Sequence, residues 1–257
     1  MPKTTHFRHF LVRKYPPESV EKQPLLLQVF SSLANWYAAR DDNYRSPLVK
    51  GMRRGTPTKR DRILNDDELR TVWRAAETNG TFGALVRLAL LTAQRQDKLA
   101  SMKWEDVKDG VWTIATEERE KGNAGVLVLP EQAVAILDSA TSDRQREGYI
   151  FPAARGTGYV SGWSKMKRAF DAKLAIGLPI SPWAFHDLRR TARSLLSRAG
   201  VTSDIAERVM GHAIAGVEGV YDRHSYVTEK AYALNALAGL IENILAPTDS
   251  KVRRLRG

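Results

Sequence analysis

His186, Arg189, Arg190 and Arg193 stand at positions i, i+3, i+4 and i+7 of a predicted helix, so they share one face. A guanidinium grips phosphate oxygens in a fork, which makes this face suited to an anion; a plain solvated basic face is the alternative. Downstream, Met210-Gly211-His212 sets a second imidazole behind a glycine that ends a helix. There it either caps the last carbonyls or joins the first imidazole in a site. Tyr221 follows in a polar, glycine-rich stretch from Gly216 to Ser225 that lacks helical apolar spacing, which weakens its reading as a core tyrosine. Tyr226, five residues on, is its rival. Two further cations lie upstream. Arg95 ends a long apolar helix, and its desolvation calls for a partner, either Asp97 or Glu105 or a bound phosphate. Lys121, at a predicted hairpin tip, is either plainly solvated or reaches into a nucleic-acid groove.

The elements that must position these groups can be read from spacing. Pro24 opens an amphipathic run, Leu25, Leu26, Val29, Phe30, Leu33, Trp36 and Tyr37, that follows the helical period and ends near Asp41. Residues 47–62 carry Pro, Gly and basic side chains and read as a linker. Asn65 with Glu68 has capping-box spacing, followed by Leu69, Val72, Trp73 and Ala76 on one face. Phe82 to Gln94 reads as a helix buried on most sides, running into Arg95, and a short helix carries Leu99 and Met102. Val111-Trp112-Thr113-Ile114 and Val126-Leu127-Val128-Leu129 read as paired strands with a turn near Gly122-Asn123. Helices are predicted over 131–140, 163–174, from 186 to a stop at Gly200, from Thr202 or Ser203 to Gly211, and over 228–245. The last carries Tyr232, Leu234, Leu237, Leu240, Ile241 and Leu245, a stripe that packs either on its own domain or on a neighbouring copy. The fold class is therefore mainly α with a small antiparallel β-sheet.

The 257 residues suit one large domain or two modest ones, and 43% hydrophobic content supports a real core. Forty Lys and Arg against 29 Asp and Glu give a net charge of +11, which points to a polyanionic partner, nucleic acid ahead of a membrane surface. Cysteine is absent, so disulfides and thiolate metal sites are excluded, as suits a reducing cytoplasm. No apolar run approaches the roughly 20 residues that span a bilayer, and the N-terminus lacks the apolar core of a signal peptide.

Taken together, five separated motifs in one order resemble the tyrosine recombinases, the phage-integrase superfamily, over about residues 60–245. They are Leu91-Thr92-Ala93-Gln94-Arg95; Trp112-Thr113-Ile114, Glu120-Lys121-Gly122-Asn123 and Val128-Leu129-Pro130; His186-Asp187-Leu188-Arg189-Arg190-Thr191; Val209-Met210-Gly211-His212; and Val220-Tyr221-Asp222-Arg223-His224. The closing text is similar to integrases of prophages and genomic islands. The acidic residue that the family often carries three positions after its first arginine is here Lys98, with Asp97 one earlier. The resemblance implies a tyrosine-recombinase catalytic domain over 65–247, a basic linker over 56–64, a partial helical core-binding domain over 1–55, shorter than the family's own as in a truncated copy, and a basic tail over 248–257.

The same resemblance implies cleavage and rejoining of DNA through a 3′-phosphotyrosyl intermediate, with neither metal nor cofactor. Arg95, Lys121, His186, Arg189, His212 and Tyr221 would be the catalytic set. DNA contacts would come from Arg53, Arg54, Lys59, Arg60, Arg62, Lys165, Lys167, Arg168 and Arg190. Double-stranded attachment sites would be the substrate, a homotetramer the assembly on DNA, and an excisionase or host DNA-bending protein a further partner. A type IB topoisomerase shares the chemistry, but the 186–226 text favours an integrase. The competing reading from another class is a catalytically incompetent, truncated remnant that only binds DNA.

Overall fold

The computed structural model describes residues 23–48, 60–114, 125–140, 146–175, 180–212 and 224–246. The chain divides into two units at Arg60/Asp61. The described part of the first unit holds one helix, α1 (Gln23–Ala38), whose Val29, Leu33 and Trp36 stay more than half exposed. Beyond its end, Arg40 lies over the Trp36 ring and Tyr37 meets Tyr44 edge-on.

The second unit is built around α3 (Gly80–Thr92), which is buried along almost its whole length. It touches α2 (Asp66–Glu77), α4 (Gln96–Ala100), α5 (Glu131–Ser139), α6 (Trp163–Leu174), α7 (Phe185–Arg198) and α9 (Val227–Leu245). From Phe82 to Leu91 the helix is apolar except for the half-buried Arg87, so it has no polar face to show water and becomes the one that the others cover. The expected capping box is present: Asn65 Oδ1 accepts from the Glu68 amide at 2.9 Å, and Glu68 Oε2 accepts from the Asn65 amide at 3.0 Å. Leu69, Val72, Trp73 and Ala76 of α2 face inward as their spacing predicts.

The sheet is antiparallel in the order β1 (Val107–Lys108), β2 (Val111–Ile114), β3 (Gly125–Val128). Trp112 pairs with Leu127, and both are buried, while Thr113 on the opposite face is exposed. The predicted strands thus form, with β3 one residue earlier than expected, and the two-residue β1 had no periodicity to reveal it. The turn near Gly122-Asn123 lies outside the described residues.

Between α7 and α9 runs α8 (Ser203–Met210). The α9 stripe packs inside its own unit, against α8, α7, α2, α3 and β3. Ala233, Leu234, Leu237, Ala238, Ile241 and Ile244 are buried, whereas Tyr232, expected on the stripe, is 73% exposed. Of the two readings of this helix, the structure shows the intramolecular one.

The α2–α3 crossing is unusually close. A Cβ built on Gly83 would lie 1.9 Å from the Ala76 carbonyl oxygen. That oxygen is backbone and cannot rotate away. Gly83→Ala is expected to lower stability by about 1–3 kcal/mol, the range for overpacking a core. A urea titration checks it, as a lower midpoint with unchanged slope.

Candidate active site

The first component is the entry to α7. An aromatic cluster surrounds it: Phe82 meets Phe170 and Phe185 at 5.3 and 6.0 Å, Trp163 meets Phe185 at 5.3 Å, and Phe170 meets Trp183 at 5.9 Å. Phe185 immediately precedes His186, so the cluster fixes where that imidazole emerges. Asp187, fully buried, turns back on the helix start. Its Oδ2 accepts from the Ala184 amide at 2.8 Å and its Oδ1 from Arg190 Nη1 at 2.6 Å. Thr191 donates to the Asp187 carbonyl at 2.8 Å and accepts from the Leu64 amide at 2.9 Å, tying α7 to the segment that leads into α2.

The second component is the end of α8. A helix leaves its last four carbonyls without helical partners. Here all four are satisfied, by two different means. The Gly211 amide donates to Arg208 O at 3.1 Å and the His212 amide to Glu207 O at 3.0 Å, with Gly211 at φ 68°. This is the six-to-one and five-to-two pattern of a Schellman turn. The other two carbonyls receive side chains: Gln94 Nε2 donates to Val209 O at 2.6 Å, and Arg189 Nη2 to Met210 O at 2.8 Å. Gln94 also donates to Thr92 O, and Arg189 Nη1 donates to Ala93 O at 2.6 Å. Both side chains therefore staple the C-terminal end of α3 to that of α8.

Arg189 is 3% exposed. Burial, and next the charge of Arg95, pull its pKa down to about 10, so it stays a cation at neutral pH. The carbonyls it binds lie at the negative ends of two helix dipoles, which offsets part of the burial. One of them, Ala93, sits in the left-handed region at φ 55° without being glycine, a conformation held at a local cost. It turns the chain between α3 and Arg95.

His212 follows directly. Its Nε2 lies 2.9 Å from Arg189 Nη2, and its Nδ1 pairs with Glu207 Oε2. Burial raises Glu207, but hydrogen bonds from Arg193 and His212 outweigh it and hold the carboxyl below its usual range, so it is ionised. His186 is held below the ordinary histidine range by burial and by the charges of Arg190, Arg189 and Arg95, which leaves a neutral imidazole able to accept a proton. The fields of Arg95 on both Arg189 and His186 place all three in one electrostatic neighbourhood.

Arg95, His186, Arg189 and His212 are thus assembled at one corner of the second unit. Lys121 and Tyr221 lie outside the described residues, as do Arg53, Arg54 and Lys59. The single anion-binding face expected on α7 does not form. Arg189 points inward, Arg190 pairs with Asp187, and Arg193 donates to Glu207, Ser197 and Ser203. Arg190 and Arg193 each meet a carboxylate, which offsets part of the desolvation of a half-buried guanidinium, whereas Arg189 is held by backbone carbonyls. Arg62 likewise forks onto Glu68, and Lys167 pairs with Asp171 above the Trp183 ring. Arg60, Lys165 and Arg168 are exposed. Tyr226, the rival tyrosine, caps α9 at φ 52°, with Arg208 3.8 Å over its ring and His224 edge-on. Gln94, Asp187 and Glu207 were not singled out by sequence. The available signal was polarity in apolar company for Gln94, and a carboxylate five residues before His212 for Glu207.

Gln94→Leu keeps the volume but leaves Val209 O and Thr92 O without their donor. The expected cost is about 1–3 kcal/mol, typical of a stranded buried acceptor, read as a lower urea midpoint.

Residues 62–226 match the model of the phage integrase family. The chain is 26% identical over 187 residues to prophage integrase IntZ of Escherichia coli, covering 70% of this chain and 44% of that protein. It is 27% identical over 160 residues to the integrase of Escherichia phage lambda, covering 60% and 44%. It therefore spans less than half the length of these curated relatives. Its fold is similar to that of a lambda integrase fragment, residues 75–356, solved as a dimer bound to a COC′ core site; the TM-score is 0.60 at 21% identity, over 82% of this chain and 79% of that one. The match covers well over half of the sequence and includes every motif from Arg95 to Tyr221, and the chain accordingly belongs to the phage integrase family, the tyrosine recombinases.

Proposed function

We propose that this chain is a site-specific DNA recombinase, an integrase that cuts and rejoins DNA strands to integrate or excise a mobile element. The observation that carries the reading is the convergence of Arg95, Arg189, His186 and His212 on the joined ends of α3, α7 and α8. Two guanidinium groups whose charges oppose each other are costly to hold together. An anion between them removes that cost, and a phosphodiester is the anion a chain of net charge +11 would meet on DNA.

In this reading the Tyr221 phenol oxygen attacks phosphorus and the bond to the 5′ oxygen breaks. A phenol of pKa about 10 is only about a thousandth ionised at neutral pH, so the attack needs a base, and neutral His186 takes the proton. Arg95 and Arg189 hold the non-bridging oxygens as charge builds on them, and His212 supplies a further hydrogen bond. Lys121 gives a proton to the departing 5′ oxygen. The ester left on Tyr221 stores the bond energy, and attack by another 5′-hydroxyl reverses the steps without ATP. Recombining two duplexes cuts four strands, and one nucleophile per chain then calls for four copies on the attachment sites. Residues 65–247 would be the catalytic domain, 56–64 a linker, and 1–55 part of a helical clamp on DNA. Arg53, Arg54, Lys59, Arg60, Lys165 and Arg168 would meet phosphates, with an excisionase or a DNA-bending protein as further partners. Among the described residues no helix is long and apolar enough to cross a membrane.

A nicked suicide duplex, whose cut fragment diffuses away, tests the assignment. Wild-type protein is expected to accumulate covalent DNA, and Tyr221→Phe to bind the duplex but trap none. Covalent capture by the Tyr221→Phe protein would overturn the nucleophile. DNA binding without capture by the wild type would favour the non-catalytic remnant.

A further inference from the structure

Glu207 has no role in the chemistry above, yet it holds His212 at two points, backbone and side chain. Its backbone carbonyl receives the His212 amide at 3.0 Å, and its carboxylate Oε2 meets the ring at Nδ1. The other carboxylate oxygen, Oε1, accepts from Arg193 Nε at 2.8 Å, and Arg193 is itself held by Ser197 and Ser203 at 2.7 and 2.8 Å. The carboxylate is therefore anchored to α7 before it touches the imidazole. On the far side of the ring, Nε2 meets Arg189. The series Arg193–Glu207–His212–Arg189 leaves α7, crosses the end of α8 and returns to α7.

A carboxylate can only accept, so the nitrogen facing it must carry the proton. With Nδ1–H committed to Glu207, the orientation and tautomer of the ring are set, and Nε2 is the nitrogen turned toward Arg189. We infer that Glu207 is a positioning residue of the recombinase site, which acts through His212 by fixing Nδ1–H and presenting Nε2 to the scissile phosphate. This inference rests on the function proposed above. When His212 gains its second proton to donate to the phosphate, the charge on the ring is matched by the carboxylate already in contact with it. A neutral partner cannot do this, although it can fill the same space.

Glu207→Gln isolates that difference: it keeps the size and the backbone carbonyl, and because Arg193 can only donate, the amide oxygen stays on Arg193 and the NH2 group, a donor, faces Nδ1. On the nicked suicide duplex, single-turnover formation of covalent adduct is expected to slow about 10–100-fold, the usual consequence of losing a partner that orients a site ligand. Affinity for the duplex and the melting temperature are expected to stay near wild type. In a His212→Gln background the same change is expected to cost little further, because the two act as a unit. A loss of equal size in both backgrounds, or one that tracks weaker binding or melting, would overturn the inference. Nitrogen-15 spectra of the imidazoles provide a readout that does not need activity. Wild type is expected to carry its proton at His212 Nδ1, and Glu207→Gln to lose that preference. An unchanged tautomer would refute the positioning role. Wild-type protein that forms no adduct but shows the Nδ1–H tautomer would instead count against the catalytic reading alone.

Discussion

The carbonyls at the end of α8 must find donors away from water, and the way they do so shapes the whole site. A Schellman turn answers two of them with backbone, in a left-handed conformation that glycine adopts at least cost at 211, and His212 follows directly. Gln94 and Arg189 answer the other two, and each also binds the end of α3. The two helix ends are joined by a shared guanidinium and a shared amide. Because Arg95 follows Gln94 and His212 follows Gly211, stapling the helices brings the two site residues to the same corner.

This arrangement makes Arg189 structural and electrostatic at once. Three of the five N–H groups of a guanidinium are accounted for by Ala93, Met210 and His212. The group is thereby fixed before any substrate arrives, which is the condition under which a donor stabilises developing charge without first reorganising. The price is a buried cation near a second one, and the left-handed backbone at Ala93 adds to it. Strain of this kind persists only where surrounding structure over-determines it, and here the buried ends of α3, α7 and α8 do so.

Much of this was legible in the sequence, for identifiable reasons. Capping chemistry is local, so Asn65 with Glu68 and the stops at Gly200 and Gly211 could be read directly. Short apolar and β-branched runs on either side of a turn signal marked β2 and β3, and the longer apolar run marked α3 as a buried helix. Order and spacing of motifs indicated the family. What spacing could not give was the direction in which each cation points. His186, Arg189, Arg190 and Arg193 share a face on a helical projection, but α8 and Asp187 supply acceptors that divide them among three different tasks. Nor could it show that Arg62 and Lys167 would meet carboxylates of their own unit. The links from Gln94 to Val209 and from Leu64 to Thr191 span more than a hundred residues. No local pattern encodes such contacts; only the packing of α3 against α7 and α8 creates them.

In the proposed function, one phosphate fits the corner made by the stapled ends of α3 and α8. A crystal structure with nicked DNA and vanadate, which takes the five-coordinate geometry of phosphorus under attack, tests it most directly. Vanadium oxygens are expected within hydrogen-bond distance of Arg95, Arg189 and His212, with Arg189 still bonded to Ala93 and Met210. Vanadate bound elsewhere, or a guanidinium of Arg189 that must leave both carbonyls to reach it, would show that this corner is not the phosphate site.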